Sequence, residues 1–475
     1  MQRRRWRPLL ALILSLSLSS GPPSPAAGPS PASPRVILIV ADDLGYMDLK
    51  CNNDQSFYET PNLDRLAARG MRFRAGYAAC PVCSPTRAAI MTGRVPPRTG
   101  ITDFIGGTRT GTLRPAPYFH QLFREEVTLA ERLREAGYAT FFAGKWHLGD
   151  GNFSPNHQGF GPDLTGGGQF YYPPGSSSSA EQERDDPKST ERITDAAIRF
   201  IAANRDRPFF AYLPYPAVHI PVGAKAELIK KYERKRQSLP AVAEAQAWGA
   251  ERQQRVRLVQ DHAAYAAMLE QLDSAVGRLL EAVDRAGIAE QTVIIFTSDN
   301  GGLSTAEGHP TSNMPLRAGK GWVYEGGIRV PWIVAAPGVT SPGGVCDTPV
   351  VSMDLFPTIL ELAGLPLAPA LHRDGVSIVP LLRGTSIDQR PLFWHYPHYS
   401  NQGGPPSGAV REGDWKLVEG YEDHRLELYN LRDDPGERRD VQSREPARAR
   451  AMQERLAAWR KDVNALMPTP FDPAR

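Results

Sequence analysis

The sequence predicts an α/β fold, in which a large and mostly parallel sheet is sandwiched by helices and is followed by a smaller antiparallel sheet plus helix. Apolar runs of strand length alternate with stretches of helical periodicity, which is typical of parallel sheets covered on both faces. From about Asp374 the sequence pattern changes to short strand-like segments and a charged helix. We therefore predict a main domain over residues 35–373 and a smaller α+β subdomain over residues 374–475.

The main domain contains the strongest strand and helix signals. Four continuous apolar runs are predicted as buried strands: Arg35–Val40, Ala139–Ala143, Pro208–Leu213 and Val293–Thr297. One helix is predicted from Thr60-Pro61 to Gly70, and a longer one carries an apolar stripe from Tyr265 to Val283. The predicted C-terminal elements are strands over Pro391–Tyr396, Ala409–Leu417 and Glu427–Leu431 and a helix over Glu445–Val463.

The N-terminus resembles a targeting segment. Arginines at positions 3, 4, 5 and 7 precede the apolar run Leu9–Leu18, and small residues follow. Because this run is too short to span a bilayer, we predict a signal peptide over residues 1–20 and a Pro/Ser-rich lead-in over residues 21–34. The mature protein is then secreted or periplasmic, without stable membrane insertion. An uncleaved anchor is the alternative.

The charge balance gives no sign of a nucleic-acid partner. The formal charge is +3, and removal of residues 1–20 takes away four arginines and no acidic residue, which leaves −1. No basic stripe interleaved with aromatic residues is present in the sequence.

Polar side chains follow the predicted strands, where ligands of such sheets bind. Asp42 and Asp43 follow the first strand, and Asp299 and Asn300 follow the last. Each pair alone is common as a turn or helix cap. Two such pairs, both after buried strands, instead indicate an all-oxygen cation site that suits Ca²⁺ or Mg²⁺ better than zinc.

Cys83 lies at the start of a predicted helix. Ser84 is a suitable N-cap, and Pro85 is suited to the first helical position. Cys83 would then lie just ahead of a helix N-terminus, where an anion is favoured. A structural or metal-binding role with Cys80 is the alternative, although no second Cys-x-x-Cys completes a zinc site.

Several segments together resemble the type I, formylglycine-dependent sulfatases of the alkaline phosphatase superfamily, and especially bacterial relatives of arylsulfatase A and N-acetylgalactosamine-6-sulfatase. Cys83-Ser84-Pro85-Thr86-Arg87, with Thr92-Gly93-Arg94 downstream, is similar to the activation signature of that family. The other matching segments are Asp42-Asp43, Gly144-Lys145-Trp146-His147-Leu148-Gly149, His219-Ile220-Pro221, Asp299-Asn300, Gly319-Lys320-Gly321 and Glu325-Gly326-Gly327-Ile328-Arg329-Val330-Pro331.

The resemblance implies a modified nucleophile and one divalent cation per chain. Cys83 is expected to be oxidised to formylglycine by a formylglycine-generating enzyme, and the aldehyde hydrate attacks sulfur. The expected cation is Ca²⁺, with Mg²⁺ possible. Its expected ligands are Asp42, Asp43, Asp299, Asn300 and the residue derived from Cys83.

The same resemblance assigns roles to the basic residues. Arg87 and the cation favour deprotonation of the hydrate. Lys145, Lys320 and His219 bind the sulfate group, and His219, with Lys320 nearby, protonates the departing alcohol. His147 then takes the proton that allows sulfate to leave.

The function implied is hydrolysis of sulfate esters, on sulfated carbohydrates and also on aryl sulfates. The alternatives are a phosphate or phosphonate ester hydrolase of the same superfamily, an inactive secreted glycan-binding protein, and a competent enzyme left unactivated by its host. Modification of Cys83 would leave three cysteines, Cys51, Cys80 and Cys346. These could form one disulfide and leave one free thiol, or they could form no disulfide.

Overall fold

The computed structural model describes residues 33–161, 164–173 and 186–471. The predicted signal peptide and nearly all of the lead-in lie outside these residues. Within them the predicted fold class is confirmed: a mixed, mostly parallel central sheet is covered by helices and is followed by a small C-terminal antiparallel sheet. The boundary between residues 373 and 374 stays a prediction.

Seven described strands form the central sheet, in the order β7-β2-β6-β5-β1-β4-β3. In chain order they are Arg35–Ala41 (β1), Met71–Phe73 (β2), Ala139–Phe142 (β3), Phe209–Pro214 (β4), Thr292–Ser298 (β5), Trp332–Ala335 (β6) and Gly344–Cys346 (β7). Strand β1 lies between β5 and β4 and is parallel to both, and only β6 among these strands runs in the opposite direction. The four strands predicted from apolar runs are β1, β3, β4 and β5, and their observed ends differ from the predicted ends by one residue or less.

Strand β1 explains why a parallel strand reads as an unbroken apolar run. Val36, Leu38 and Val40 enter the core on one face of the sheet, and Ile37 and Ile39 enter the core on the other face. All five side chains are fully buried. Burial of each such side chain contributes about 1.5–3 kcal/mol, so the central strand is stabilised from both sides.

Helices cover both faces of the central sheet. The longer described helices are Pro61–Arg69 (α1), Cys83–Thr92 (α2), Leu129–Glu135 (α3), Thr190–Ala203 (α4), Ala226–Gln237 (α5), Ala263–Arg285 (α6), Leu355–Leu362 (α7) and Pro446–Asp462 (α8). Helices α1, α4, α5 and α6 contribute to the core on the Ile37 face, whereas α2, α3 and α7 contribute to the core on the Val36 face. None of the helices in the described part of the chain has the length and apolar character needed to cross a membrane.

Short elements connect these layers. Small sheets pair Gly76–Tyr77 with Val350–Val351, Leu113–Arg114 with Thr469–Pro470, Trp248–Glu251 with Gln254–Arg257, and Phe170–Tyr172 with both Gly144–Lys145 and Thr165–Gly167. The short helices are Tyr46–Asp48, Pro96–Thr99, Gly151–Phe153, Pro155–His157, Glu244–Ala247, Ala289–Gln291, Glu325–Ile328, Ser352–Asp354 and Val379–Leu382.

The C-terminal sheet is an antiparallel meander packed between α8 and the main domain. Its strands are Leu392–Tyr396 (β8), Ser407–Glu412 (β9), Trp415–Gly420 (β10) and Leu426–Asn430 (β11), paired in chain order. One face packs against α8, and the other face joins a core that includes Tyr77, Cys80, Val82 and Trp322. The sheet therefore supports the segment that contains Cys83.

One predicted strand in this region was wrong. The segment 409–417 was predicted as a single strand, but it contains the turn between β9 and β10. Glu412 pairs with Trp415 across the turn, and Gly413 there has a φ of 54°, a value that glycine adopts without strain. Gly413-Asp414 is the signal that should have divided the strand.

A buried lysine joins the C-terminal sheet to the main domain. Lys416 Nζ on β10 lies 3.0 Å from a carboxylate oxygen of Glu325 and 2.8 Å from one of Glu437. The backbone N–H of Glu325 also donates to Glu437 at 2.7 Å, and the Tyr77 hydroxyl donates to Glu325 at 2.7 Å. All three charged side chains are buried, and Lys416 is the cation that the two carboxylates share, while Arg329 lies 3.7 Å from Glu325 alone.

We predict that Lys416→Met lowers the free energy of unfolding by about 3–5 kcal/mol, because it leaves two buried carboxylates without their shared cation. Urea denaturation followed by tryptophan fluorescence measures this loss. Arg432→Met is the matched control, since Arg432 pairs with Asp414 at the surface with 75% of its side chain exposed. The control should change the unfolding free energy by less than about 0.5 kcal/mol. Equal effects of the two substitutions would contradict a specific role for Lys416.

A second buried group, Asp48, fixes the loop that follows Asp43. Its carboxylate accepts hydrogen bonds from the Tyr265 hydroxyl (2.6 Å), the Thr311 hydroxyl (2.8 Å), the Gln260 amide (3.0 Å) and the backbone N–H of Gly45 (3.0 Å). Burial raises the pKa of Asp48 to about 7, and the four donors offset this effect only in part.

This raised pKa predicts a pH-dependent stability. The folded state binds the Asp48 proton more tightly than the unfolded state, so the stabilisation is complete below about pH 4 and is lost as the pH rises through about 7. The melting temperature of the wild type, relative to that of Asp48→Asn, should therefore fall between about pH 5 and about pH 8. Differential scanning fluorimetry across this range measures it, and a constant difference would contradict the prediction.

Candidate active site

The two acidic pairs meet at the carboxyl ends of β1 and β5. The Asn300 side-chain amide donates to Asp43 Oδ1 at 2.9 Å, and the backbone N–H of Asp43 donates to Asp299 Oδ1 at 3.2 Å. All four side chains, including Asp42, are buried. Strands β1 and β5 are neighbours and parallel, and this register brings together residues that are more than 250 positions apart.

Arg87 supplies the central positive charge of this cluster. It projects from α2, and its Nε and Nη2 donate to Asp299 Oδ2 at 2.9 and 2.7 Å. Nη1 donates to the carbonyl of Lys145 at 2.8 Å, and Nη2 lies 3.6 Å from Asp42. Although burial alone would lower the pKa of Arg87, the carboxylates of Asp299 and Asp42 raise it, so the guanidinium stays charged.

Two lysines neutralise the remaining carboxylates. Lys145 Nζ lies 2.6 Å from Asp42 Oδ2, and Lys320 Nζ lies 2.8 Å from Asp43 Oδ2. Burial opposes charge on both lysines, but the paired aspartates raise the pKa of each above its ordinary value. Burial likewise favours the neutral form of Asp42, yet Lys145 and the other nearby cations hold its pKa well below the ordinary range.

Glycines allow the backbone to pack closely beside this cluster. The N–H of Gly301, directly after Asn300, donates to the carbonyl of Gly327 at 2.9 Å. A Cβ at Gly301 would lie 1.9 Å from the carbonyl oxygen of Gly326, so only glycine fits there. The predicted Glu-Gly-Gly segment thus lies directly behind the Asp299-Asn300 loop.

Cys83 lies against the charged cluster with only 2% of its surface exposed. Asp42, Asp43, Cys83 and His219 each offer a ligand atom, and these four atoms lie within 4.8 Å of one another. Burial raises the pKa of the Cys83 thiol to about 12, although Lys145 and Lys320 lower it in part. As encoded, Cys83 is therefore a neutral thiol at physiological pH.

The predicted start of α2 was wrong by two residues. The helix begins at Cys83 itself, and the preceding Val82 has the extended backbone of an N-cap. Pro85 is consequently the third helical residue, which is still within the first turn, where a missing N–H breaks no intrahelical hydrogen bond. Ser84 does not cap the helix, because its hydroxyl accepts a hydrogen bond from the N–H of Ile105 at 3.0 Å.

His147 and His219 have different contacts. The Nε2 of His147 lies 3.0 Å from the carbonyl oxygen of Ile105, and its Nδ1 is buried with no hydrogen-bond partner among the described residues. The Nδ1 of His219 lies 2.6 Å from the carbonyl oxygen of Ile220, and its Nε2 lies 3.5 Å from Asp43 Oδ2. Burial lowers the pKa of both imidazoles, most strongly that of His147, where Lys145 adds to the effect.

The loop around Ile105 was missed by sequence reasoning. It contacts α2 through Ser84 and contacts His147 through the Ile105 carbonyl. Asp103 anchors this loop to the C-terminal sheet, because the Tyr396 hydroxyl donates to its carboxylate at 2.9 Å. A backbone carbonyl that orients a histidine leaves no motif, so no feature of the sequence could have revealed this contact.

An aromatic segment of the C-terminal sheet, residues 394–398, is buried in the protein. Trp394, His395, Tyr396 and His398 are all buried, and the Trp394 indole donates to the carbonyl of Ala78 at 2.8 Å. These side chains therefore pack inside the protein. The four cysteines all lie in the described residues and form no disulfide there.

The oxygen atoms at the cluster are suitable ligands for a hard divalent cation. Asp42 Oδ1 and Asn300 Oδ1 are buried, and within the described ranges neither has a hydrogen-bond partner. Free carboxylate and amide oxygens are the ligands that Ca²⁺ and Mg²⁺ prefer. Asp299 is different, because Arg87 and the Asp43 N–H engage its two oxygens.

Comparisons with known proteins agree with this geometry. The sulfatase family model matches residues 34–365, and the model described as N-sulphoglucosamine sulphohydrolase, C-terminal, matches residues 318–462. Arylsulfatase A of Homo sapiens is 37% identical over 81% of this chain and 74% of its own. A sulfatase of Formosa agariphila is 32% identical over 96% of this chain and 93% of its own.

A solved structure extends the agreement to three dimensions. The crystal structure of Ps i-CgsB in complex with k-i-k-neocarrahexaose superimposes with a TM-score of 0.72 at 29% identity, over 90% of this chain and 92% of that one. The resemblance inferred from the sequence segments is thereby confirmed. The chain belongs to the sulfatase family of sulfuric ester hydrolases.

Proposed function

We propose that this enzyme hydrolyses sulfate esters of carbohydrates, with formylglycine derived from Cys83 as the nucleophile and with Ca²⁺ or Mg²⁺ at the acidic cluster. The observation that carries the proposal is the position of Cys83 at the first residue of α2, within 4.8 Å of ligand atoms of Asp42, Asp43 and His219. The Cys83 Sγ marks where the oxygen of the modified residue would lie.

The encoded thiol is a poor nucleophile in this environment. Catalytic cysteines react as thiolates and need a lowered pKa, whereas burial raises the pKa of Cys83 to about 12. A formylglycine hydrate removes this difficulty, because one hydroxyl attacks sulfur and loss of a proton from the other expels sulfate. This argument supports modification of Cys83 over direct use of its thiol.

The surrounding charges suit an anionic substrate. The ammonium groups of Lys145 and Lys320 and the N-terminus of α2 favour negative charge beside Cys83. We assign Asp42, Asp43, Asp299 and Asn300 as the residues that hold the cation. When bound, the cation would supply Lewis-acid polarisation and would favour an ionised hydroxyl.

The contacts of the two histidines support separate proton-transfer roles. Because the Ile105 carbonyl can only accept, His147 must carry its proton on Nε2, which leaves the lone pair of the buried Nδ1 free. The strongly lowered pKa of His147 keeps it neutral, as a general base requires. His219 carries a proton on Nδ1 by the same reasoning, so Nε2 is its titrating atom; burial lowers the pKa of His219, and Asp43 offsets this effect only in part.

Export and maturation belong to the same proposal. A signal peptide over residues 1–20 would deliver the enzyme to the periplasm or the exterior, and a formylglycine-generating enzyme would modify Cys83. The carbohydrate assignment is supported by the hexaose bound to the relative Ps i-CgsB, at 29% identity.

The first test is mass spectrometry of the tryptic peptide Ala75–Arg87, which contains Cys83. We expect the mass of an aldehyde in place of the thiol in protein co-expressed with a formylglycine-generating enzyme. Cys83→Ala should abolish aryl sulfate hydrolysis, and Cys83→Ser should accumulate a sulfated enzyme, because a serine ester lacks the second hydroxyl. Full multiple turnover by Cys83→Ser, or by a preparation with only the intact thiol, would refute the proposed nucleophile.

The proposed role of His219 as the general acid is tested by comparing substrates with different leaving groups. His219→Ala should slow hydrolysis of sugar sulfates by about 10²–10⁴-fold, because their alcohols leave poorly without a proton. The loss should be much smaller for 4-nitrophenyl sulfate, whose phenolate leaves readily. His157→Ala is the control, since His157 is exposed and lies outside the cluster. Equal losses of kcat with both substrates would argue against His219 as the acid.

A further inference from the structure

A cavity of about 490 Å³ opens beside the charged cluster. Asp42, Lys145 and His219 form the wall that faces the charged cluster. The other lining residues have no role in the proposed chemistry, and only Ile220 and Pro221 belong to a family segment: Gln169, Phe170, Tyr172, Pro187, Lys188, Ser189, Pro216, Ile220 and Pro221. A substrate bound at the cluster would have to extend into this space.

Lys188 is the unusual residue of this lining. Its Nζ donates to the carbonyl of Ile220 at 2.9 Å, next to His219, and the side chain is half-buried. Among the residues that the structure describes, no carboxylate lies within 4.0 Å of this ammonium group, since no ion pair to Lys188 is present there.

Lys188 differs from the cations of the cluster in its hydrogen-bond and ion-pair partners. Lys145 is neutralised by Asp42, Lys320 by Asp43, and Arg87 by Asp299, each at less than 3 Å. Among the described residues, Lys188 has only a neutral carbonyl as its partner. An ammonium group that is partly desolvated and has no described carboxylate beside it attracts an anion from a molecule that enters the cavity.

The rest of the lining suits a sugar ring. Phe170 is 38% exposed, and proline rings at positions 187, 216 and 221 add further apolar surface. Aromatic faces pack against the C–H faces of sugars, and the Gln169 amide can donate and accept hydrogen bonds with hydroxyl groups. The lining therefore combines an apolar platform with a cation, Lys188, that has no carboxylate partner in the described part of the chain.

We propose that this cavity binds a sugar that carries a second anionic group, a sulfate or a carboxylate, in addition to the sulfate ester that is cleaved. Lys188 recognises the second anion, and Phe170 packs against the ring. This inference rests on the proposed function, because it places the scissile ester at Cys83.

The test compares singly and doubly charged sugars as competitive inhibitors of 4-nitrophenyl sulfate hydrolysis. Galactose monosulfates and N-acetylhexosamine monosulfates form one set, the corresponding disulfates form the second, and monosulfated uronic acids form the third. We expect the doubly charged sugars to bind the wild type at least about tenfold more tightly than the singly charged ones, as one charged hydrogen bond allows. The disulfates and the uronic acids then distinguish a second sulfate from a carboxylate.

The variant Lys188→Gln should reduce this preference to less than about threefold, and Lys188→Arg should retain most of it. The matched control is Lys50→Gln, because Lys50 also donates to a backbone carbonyl, that of Asp54, but lies outside the cavity. The control should keep the wild-type preference. Phe170→Ala should weaken the binding of singly and doubly charged sugars by the same factor.

Two results would overturn the inference: no preference for doubly charged sugars in the wild type, or an unchanged preference in Lys188→Gln. Failure of the proposed function gives a different result. In that case a preparation with verified formylglycine at Cys83 would not hydrolyse 4-nitrophenyl sulfate at all, whereas calorimetric binding of the same sugars would still report on Lys188.

Discussion

The pairing of buried opposite charges at the carboxyl ends of β1 and β5 is the constraint on which the rest of this structure depends. Three aspartates are removed from water there, and isolated buried carboxylates would be too costly to remain ionised. Arg87, Lys145 and Lys320 arrive from three different segments, and each meets one aspartate. The helix, the short strand and the turn that supply these cations must therefore adopt one mutual arrangement, and this arrangement is the candidate active site.

The C-terminal sheet contributes to this arrangement from outside. Lys416 holds Glu325, and the glycines after Glu325 pack without any gap against Gly301, which follows the Asp299-Asn300 pair. Tyr396 of the same sheet holds Asp103, whose loop orients His147 through the Ile105 carbonyl. Two sides of the site are thus supported by residues that take no part in the proposed chemistry.

The central sheet and the convergence of the acidic pairs could be predicted because both depend on local sequence. Strands buried on both faces appear as unbroken apolar runs, and strand ends that carry Asp42-Asp43 and Asp299-Asn300 are visible in the sequence. The resemblance of short segments to sulfatases identified the family correctly. The turn at Gly413 was overlooked because the residues on either side of it have the same strand-like pattern.

Other features depend on contacts between distant segments and could not be predicted. Ser84 was interpreted as a helix cap because serine before proline usually has that role, but its hydroxyl contacts Ile105 instead. Likewise, the fold decides that no described carboxylate lies beside Lys188. A lysine beside a proline in the sequence gives no indication of it.

The burial of the first turn of α2 limits when the proposed modification of Cys83 could take place. Cys83, Ser84, Pro85, Thr86 and Arg87 are all buried, with exposures of 2% or less for Cys83, Ser84, Thr86 and Arg87. An enzyme that oxidised Cys83 would need access to this segment, and the folded molecule does not offer that access. If Cys83 is modified as proposed, modification would therefore precede folding, and a chain that folded first would keep its thiol.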